Sequence, residues 1–493
     1  MGKVLYILLV SFAIGSCCGI PKDARVSEDC PPISYYGKDI TIPRNIAPLN
    51  FDIGTEGRCV TLLENGGESV HLRGRNVRIP AGKWHNLLKA GSEVCVTVYI
   101  KGDDGWTQYR TLEWSVADGI DEYLSYRLIP PSYQSYDEIS LQQRNLTNFR
   151  EKLIYSNALV QDRNSQQCVN CHHFRNYRTE EMQFHIRQYL GCTVIVGNDG
   201  IHRINLKTDS TLSAGVYPAW NPKYDFIAYS VNNTTQRFHS ADLNRIEVLD
   251  LGSDLVLYDV NGRSVSFIGN RPDELECFPS WAPDGRTLYY VSAHIEVPDS
   301  VDRAKYIYDN YQNIHYDLYS KSFNPDSLIW GEPEKIIDAA SVGHSIALPR
   351  VSPNGRYLLF SMAGYGVFHI WHRDADLYMA DLNSLSVRSL TEINSPEVES
   401  YHSWSSDGQW IVFCSRRDDG NNTRLYISHL EEDGSFSEPF LLPQRNPAVN
   451  SQLLKSFSIP ELTVEPVRIS AHEFASHVRK DSLESVSFTS QSK

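Results

Sequence analysis

The sharpest chemical signal in the chain is Cys168-Val169-Asn170-Cys171-His172-His173. Two thiols three residues apart, followed by a histidine, form the attachment spacing of a c-type haem. Each thiol can take one vinyl group while the imidazole meets the iron. The motif nominates Cys168 and Cys171 as cofactor-binding residues and His172 as the proximal iron ligand. His185 or Met182, both within Glu181-Met182-Gln183-Phe184-His185, are the nearby candidates for the opposite face. His173 adjoins the proximal position and has a poor route to that face. Three other uses of the same residues stay open: a Cys-x-x-Cys disulfide, half of a zinc site with His172 or His173, and a relic. The sequence has no second Cys-x-x-Cys at zinc-site spacing.

Two further clusters carry chemical side chains. His369-Ile370-Trp371-His372-Arg373-Asp374-Ala375-Asp376 offers imidazoles and carboxylates to a metal, against a plainer reading as loop and turn. Glu397, Glu399 and His402 beside Trp404 offer paired carboxylates for acid–base work on a sugar, against a reading as ordinary loop polarity. No Gly-x-Ser-x-Gly elbow and no His-Glu-x-x-His occurs, which weighs against serine hydrolases and zinc proteases.

Fold class is expected to be mainly β. From 30 to 131 short strands alternate with Gly, Pro and Asn turns, as in Val94-Cys95-Val96-Thr97-Val98-Tyr99-Ile100 before the hairpin Gly102-Asp103-Asp104-Gly105. That spacing predicts a small β-sandwich. Leu141, Leu146, Phe149, Leu153 and Ile154 fall at near-helical intervals, so 132–190 reads as a helical linker carrying the Cys-x-x-Cys-His motif. Cys59 and Cys95 are the one candidate disulfide pair, while Cys277 and Cys414 read as buried strand residues.

From 191 to 460 a repeat governs the fold. Its copies are Tyr217-Pro218-Ala219-Trp220-Asn221-Pro222, Phe278-Pro279-Ser280-Trp281-Ala282-Pro283-Asp284-Gly285, Leu348-Pro349-Arg350-Val351-Ser352-Pro353-Asn354-Gly355 and Tyr401-His402-Ser403-Trp404-Ser405-Ser406-Asp407-Gly408. Each precedes an apolar strand ending in Ser. An inner strand closing on Trp, then a tight turn with Gly at positive φ, is the logic of a propeller blade. These copies resemble the TolB/PD40 class of WD40-like β-propellers, and the resemblance implies five or six blades. With Cys168-Val169-Asn170-Cys171-His172 before these copies and Ile14-Gly15-Ser16-Cys17 near the N-terminus, the chain resembles exported propeller lipoproteins of Bacteroidota that carry a Cys-x-x-Cys-His segment. That resemblance implies haem c and an envelope location, and leaves the substrate open.

The N-terminus fits export. Lys3 precedes an apolar run at 4–14, too short to span a bilayer, and Ile14-Gly15-Ser16-Cys17 resembles a lipobox with Cys17 as the lipidated residue. Cys18 is a weaker alternative, and a plain signal peptide is the competing reading. The expected layout is a signal at 1–16, a tether at 17–29 and a polar tail at 461–493. The 493 residues include 41% apolar and 22% charged residues, enough to bury ordinary cores. A net charge of -14 argues against nucleic acid as a partner. The expectation is an envelope protein, anchored to the membrane by lipid alone. It either transfers electrons or senses redox state through haem c, or is a non-catalytic scaffold docking a protein, peptide or glycan.

Overall fold

The computed structural model describes residues 19–131, 136–162, 164–480 and 482–490. The apolar leader and Cys17 lie outside the described residues. From Tyr123 onward, six antiparallel sheets stand round a common channel as a six-bladed β-propeller. The strands Gln167–Arg175, Val216–Trp220, Glu274–Trp281, Ser345–Val351 and Glu399–Trp404 are the innermost strands of the second to sixth blades. The first blade is composite. Tyr123–Ile129, Ser140–Asn145 and Glu151–Ser156 form its outer three strands, and Ser456–Thr463 pairs with Tyr123–Ile129 on the inside.

The repeat maps onto the blades as expected. Trp220, Trp281, Val351 and Trp404 each end an inner strand, opposite Ile227, Leu288, Leu358 and Ile411 of the next. The Trp281 indole donates to the Ala219 carbonyl, and the Trp404 indole to the Arg350 carbonyl, both at 3.1 Å. Each ring therefore ties its blade to a neighbour while filling the space between sheets. Gly285, Gly355 and Gly408 sit in the following turns at φ of 68°, 72° and 72°, a region costly for any side chain.

Several boundaries differ from the sequence-based expectation. The segment 132–190 contains strands where a helical linker was expected. Leu141 and Ile154 are buried on successive strands of the first blade, because strand alternation and helical spacing coincide over so short an apolar run. The Cys-x-x-Cys-His motif lies on the inner strand of the second blade. The expected polar tail begins inside the first blade's inner strand. It continues as the helix Ala471–Val478, whose Phe474 is buried between the first two blades, and ends as edge strands on the second and third.

The N-terminal unit is one main sheet backed by the helix Ala81–Ala90, where two facing sheets were expected. Trp84, Leu87 and Leu88, at helical spacing after Pro80, are fully buried by it. Cys59 and Cys95 are both free. They sit on paired strands opposite Ile100 and Glu64, a five-residue stagger of about 17 Å along the strand. The unit shares one apolar core with Trp410, Val412 and Ile427 of the sixth blade and Tyr126 and Phe457 of the first. It therefore straddles the seam where the ring closes.

Candidate functional site

The channel is built by a bulge repeated in every inner strand. Pairing steps from Cys277–Val291 to Ser280–Tyr289, from Val216–Ser230 to Ala219–Ala228, and from Ala347–Ser361 to Arg350–Leu359. Two residues of the inner strand are skipped each time. The second blade does the same between Asn170 and His173, and the first between Ser458 and Glu461. In the sixth blade the bulge falls one residue earlier, between Glu399 and His402. Bulged residues Cys171, Tyr217, Phe278, Leu348 and Ile459 have φ between 50° and 56°, a strained conformation for non-glycine residues that the surrounding sheets must hold.

This register exposes two copies of the repeat that the sequence reading passed over. Cys171-His172-His173-Phe174 and Ile459-Pro460-Glu461-Leu462 occupy the places of Tyr217-Pro218-Ala219-Trp220. The signal available was the position of an apolar or aromatic residue three after the bulge. It was hidden because Cys-His replaces Tyr-Pro and Phe or Leu replaces Trp.

The motif residues divide as follows. Cys168 is buried in the apolar core between the first and second blades, with Phe184 and Tyr155. Cys171 lines the channel, and burial raises its thiol above the ordinary range. His172 is buried in the channel, beside about 40 Å3 of space. Neither of its ring nitrogens has a partner. Burial, against the pull of Glu461, brings its pKa down to about 4, so it is neutral. His185 lies opposite Asn170 on the next strand, bonded to the Thr193 hydroxyl at 3.0 Å, and burial lowers its pKa to about 3. Met182 points the other way, fully buried between blades beside Phe184, so it does not share a space with His172.

On one side of His172 a charged cluster lines a space of about 210 Å3. His173 Nδ1 meets Glu461 Oε1 at 2.9 Å, Arg350 meets the same oxygen at 3.2 Å, and the Phe174 amide donates to Oε2 at 3.2 Å. Burial would raise the Glu461 pKa, but His173 and Arg350 hold it down at about 2. On the other side the channel widens into a funnel of about 500 Å3. Its floor is the bulge ring. Its walls include the ends of the second strands of the first two blades, the long hairpin Phe226–Phe238 with Ile246–Asp259, and the loop carrying Phe368 and His369. Volumes of this size accept small-molecule ligands.

Of the remaining sequence candidates, His369 lines the funnel and His402 the channel, while the others are held by neighbouring side chains or backbone. Glu399 is fully buried and bonded to Ser395, Ser415 and Arg417 at 2.7, 2.8 and 3.0 Å. Glu397 pairs with Arg373 at 2.7 Å, so the two carboxylates do not face a common substrate space. His372 bonds Glu247 at 2.9 Å, and Asp374 holds the Gly364 amide at 2.8 Å. Among the described residues one trio, Asp273, Glu274 and His294, brings ligand atoms within 4.8 Å of one another, and Arg271 already pairs with its Glu274.

The chain is a six-bladed propeller protein with an N-terminal sheet-and-helix unit packed over the ring's seam. No family model matches it, and no curated protein matches its sequence. It is similar in structure to tricorn protease, at 12% identity and a TM-score of 0.32, covering 71% of this chain and 34% of that one. It therefore spans about a third of that protein's length. It is also similar to an oligogalacturonate lyase in complex with manganese, at 13% identity and a TM-score of 0.31, covering 83% and 99% of the two chains. The β-propeller domain of the Trilobed protease from Pyrococcus furiosus gives 9% identity and a TM-score of 0.34, covering 79% and 99%. At such values the fold assignment rests on the chain's own six sheets.

Proposed function

We propose that this chain is a lipid-anchored envelope protein whose propeller binds a small ligand in the funnel, and that its role is recognition and docking. The carrying observation is the funnel on the ring axis: about 500 Å3 in volume, floored by the bulge ring, with the His173–Glu461–Arg350 cluster beyond that floor. Ala214 lies on its wall. Ala214→Trp fills the space, and native mass spectrometry of membrane-purified protein is the test. Wild type is expected to carry a bound small molecule that the variant lacks; the same molecule on both would refute the reading. Anchoring is tested apart. Cys17→Ala is expected to release the protein from membranes, and wild type without an acyl label would overturn that part.

A second reading, covalent haem c with a role in electron transfer, is favoured by one observation: both nitrogens of buried His172 lack partners beside two free thiols. The space beside His172, about 40 Å3, is far below the roughly 300 Å3 of small-ligand sites. A porphyrin does not fit it as the strands stand. Mass spectrometry of the peptide spanning 168–172, from cells that mature another c-type cytochrome, separates the readings: a haem adduct supports this one, and an unmodified peptide removes it.

A further inference from the structure

The charge on the funnel walls runs against the charge of the chain. Asp and Glu number 60 against 46 Lys and Arg. Yet the funnel lining includes Arg127, Arg187 and Lys207 and no carboxylate. Elsewhere in the blades some buried charges are ion-paired, as Glu399 with Arg417, Glu247 with His372, and Asp317 with Lys335, while others such as Asp250 and Glu276 are not. Arg127 is partly buried and Arg187 is exposed on the funnel side, and among the described residues neither forms an ion pair.

What they touch instead is a sulfur. An Nη of Arg127 lies 3.4 Å from Cys168 Sγ, and an Nη of Arg187 lies 3.6 Å from the same atom. Two guanidinium groups therefore converge on one point from the first and second blades. A thiol is a weak acceptor and leaves Arg127 with donors unused. Arg127 Nε is buried without any partner. With the Asn170 amide turned so that its oxygen faces Arg187, it accepts Nε and an Nη of Arg187 at 2.8 and 2.9 Å, which fixes the plane of that guanidinium. Two like charges held side by side on the funnel wall repel, and an anion that joins them relieves that repulsion. The guanidinium fork suits planar or tetrahedral oxyanions that accept two bonds at once.

Below the arginines the floor is apolar and aromatic. Tyr217 and Phe278 pack edge to face at 4.5 Å between centroids, and Phe368 completes the trio at 5.9 and 5.7 Å. Such a bed accepts a flat apolar body and offers little to a free inorganic ion.

We propose that the funnel binds the oxyanion of a small organic acid between Arg127 and Arg187, with the acid's apolar body against Tyr217, Phe278 and Phe368. The proposal rests on the funnel being the ligand site, and the experiment keeps the two apart. Benzoate, phenyl phosphate and the neutral isostere benzamide are titrated by ligand-observed NMR into the full chain. The proteins are wild type, the double variant Arg127→Gln with Arg187→Gln, and Ala214→Trp. Wild type is expected to bind benzoate or phenyl phosphate at least about tenfold more tightly than benzamide, with that preference gone in the double variant. Whichever acid binds tighter assigns the oxyanion as carboxylate or phosphate. Equal binding of benzoate, phenyl phosphate and benzamide by wild type, with all three lost in Ala214→Trp, would overturn the acid proposal and leave the funnel standing. Unchanged binding in Ala214→Trp would overturn both. The wild-type comparison needs no variant to fold, so the acid proposal is testable even where the double variant is unstable.

Discussion

Replacing Glu461 by Gln tests the charged cluster directly. Its carboxyl falls from an ordinary 4.5 to about 2, because His173 and Arg350 outweigh its burial. That depression corresponds to about 3 kcal/mol of favourable interaction at neutral pH. The folded-state pKa lies below the unfolded one. The stabilisation is therefore complete above pH 4.5 and is lost as pH falls from 4.5 through 2. Glu461→Gln should thus lower unfolding free energy at pH 7 by about 3 kcal/mol, with His173 and Arg350 left facing a neutral amide. The gap between variant and wild type should then close as pH approaches 2. Urea unfolding followed by tryptophan fluorescence, at pH 7, 4 and 2.5, measures both quantities. A variant within about 0.5 kcal/mol of wild type at pH 7, or a gap independent of pH, would refute the reasoning.

Acid should weaken the fold by a second route. Burial lowers His172, His185, His369 and His402 to about 4, 3, 3 and 4. The unfolded chain binds protons below pH 6.5 that the folded chain refuses, so Tm should fall between pH 6.5 and 4, and His185→Gln should flatten that fall. Trp281→Ala, which empties the space against Phe323 and Trp330, should cost about 3 to 5 kcal/mol in urea unfolding; a loss under 1 would mean the ring is not packing the blades. Thiol labelling of native protein should reach exposed Cys30 first, and Cys59, Cys277 and Cys414 only with denaturant, since these are buried; rapid native labelling of Cys277 would contradict its place in the core.

The repeat was legible because its chemistry is local. Pro-Asp-Gly turns and a Trp at fixed spacing announce themselves wherever they fall, and they placed four blades. The first and second blades were obscured because their copies keep the geometry and change the letters. In Cys171-His172 the strained bulge position holds a small thiol in place of an aromatic ring, and haem-like spacing drew attention away from the repeat. Leu141 to Ile154 misled for another reason: a helix and a pair of short strands bury nearly the same residues. Arg127 and Arg187 carry no sequence signal at all. They lie 60 residues apart, and only the ring brings both to Cys168. Glu461 was assigned to a tail for the same reason, since nothing local shows that a late strand returns to an early blade.

That return has a consequence for how the protein is made. The strand Tyr123–Ile129 emerges early and waits for Ser456–Thr463 until almost the whole chain has been delivered. Until then the first blade shows a bare edge, the kind of surface on which chains aggregate. The N-terminal unit packs on Leu124 and Tyr126 of that same strand, so it can shelter the waiting blade's face while its edge stays open. The late strand also brings the last parts of the site. Ser458 and Ile459 finish the funnel, and Glu461 brings the carboxylate that meets His173 and Arg350. A chain cut short before this strand lacks the floor of the funnel as well as the closed ring, so the last blade strand completes both at once.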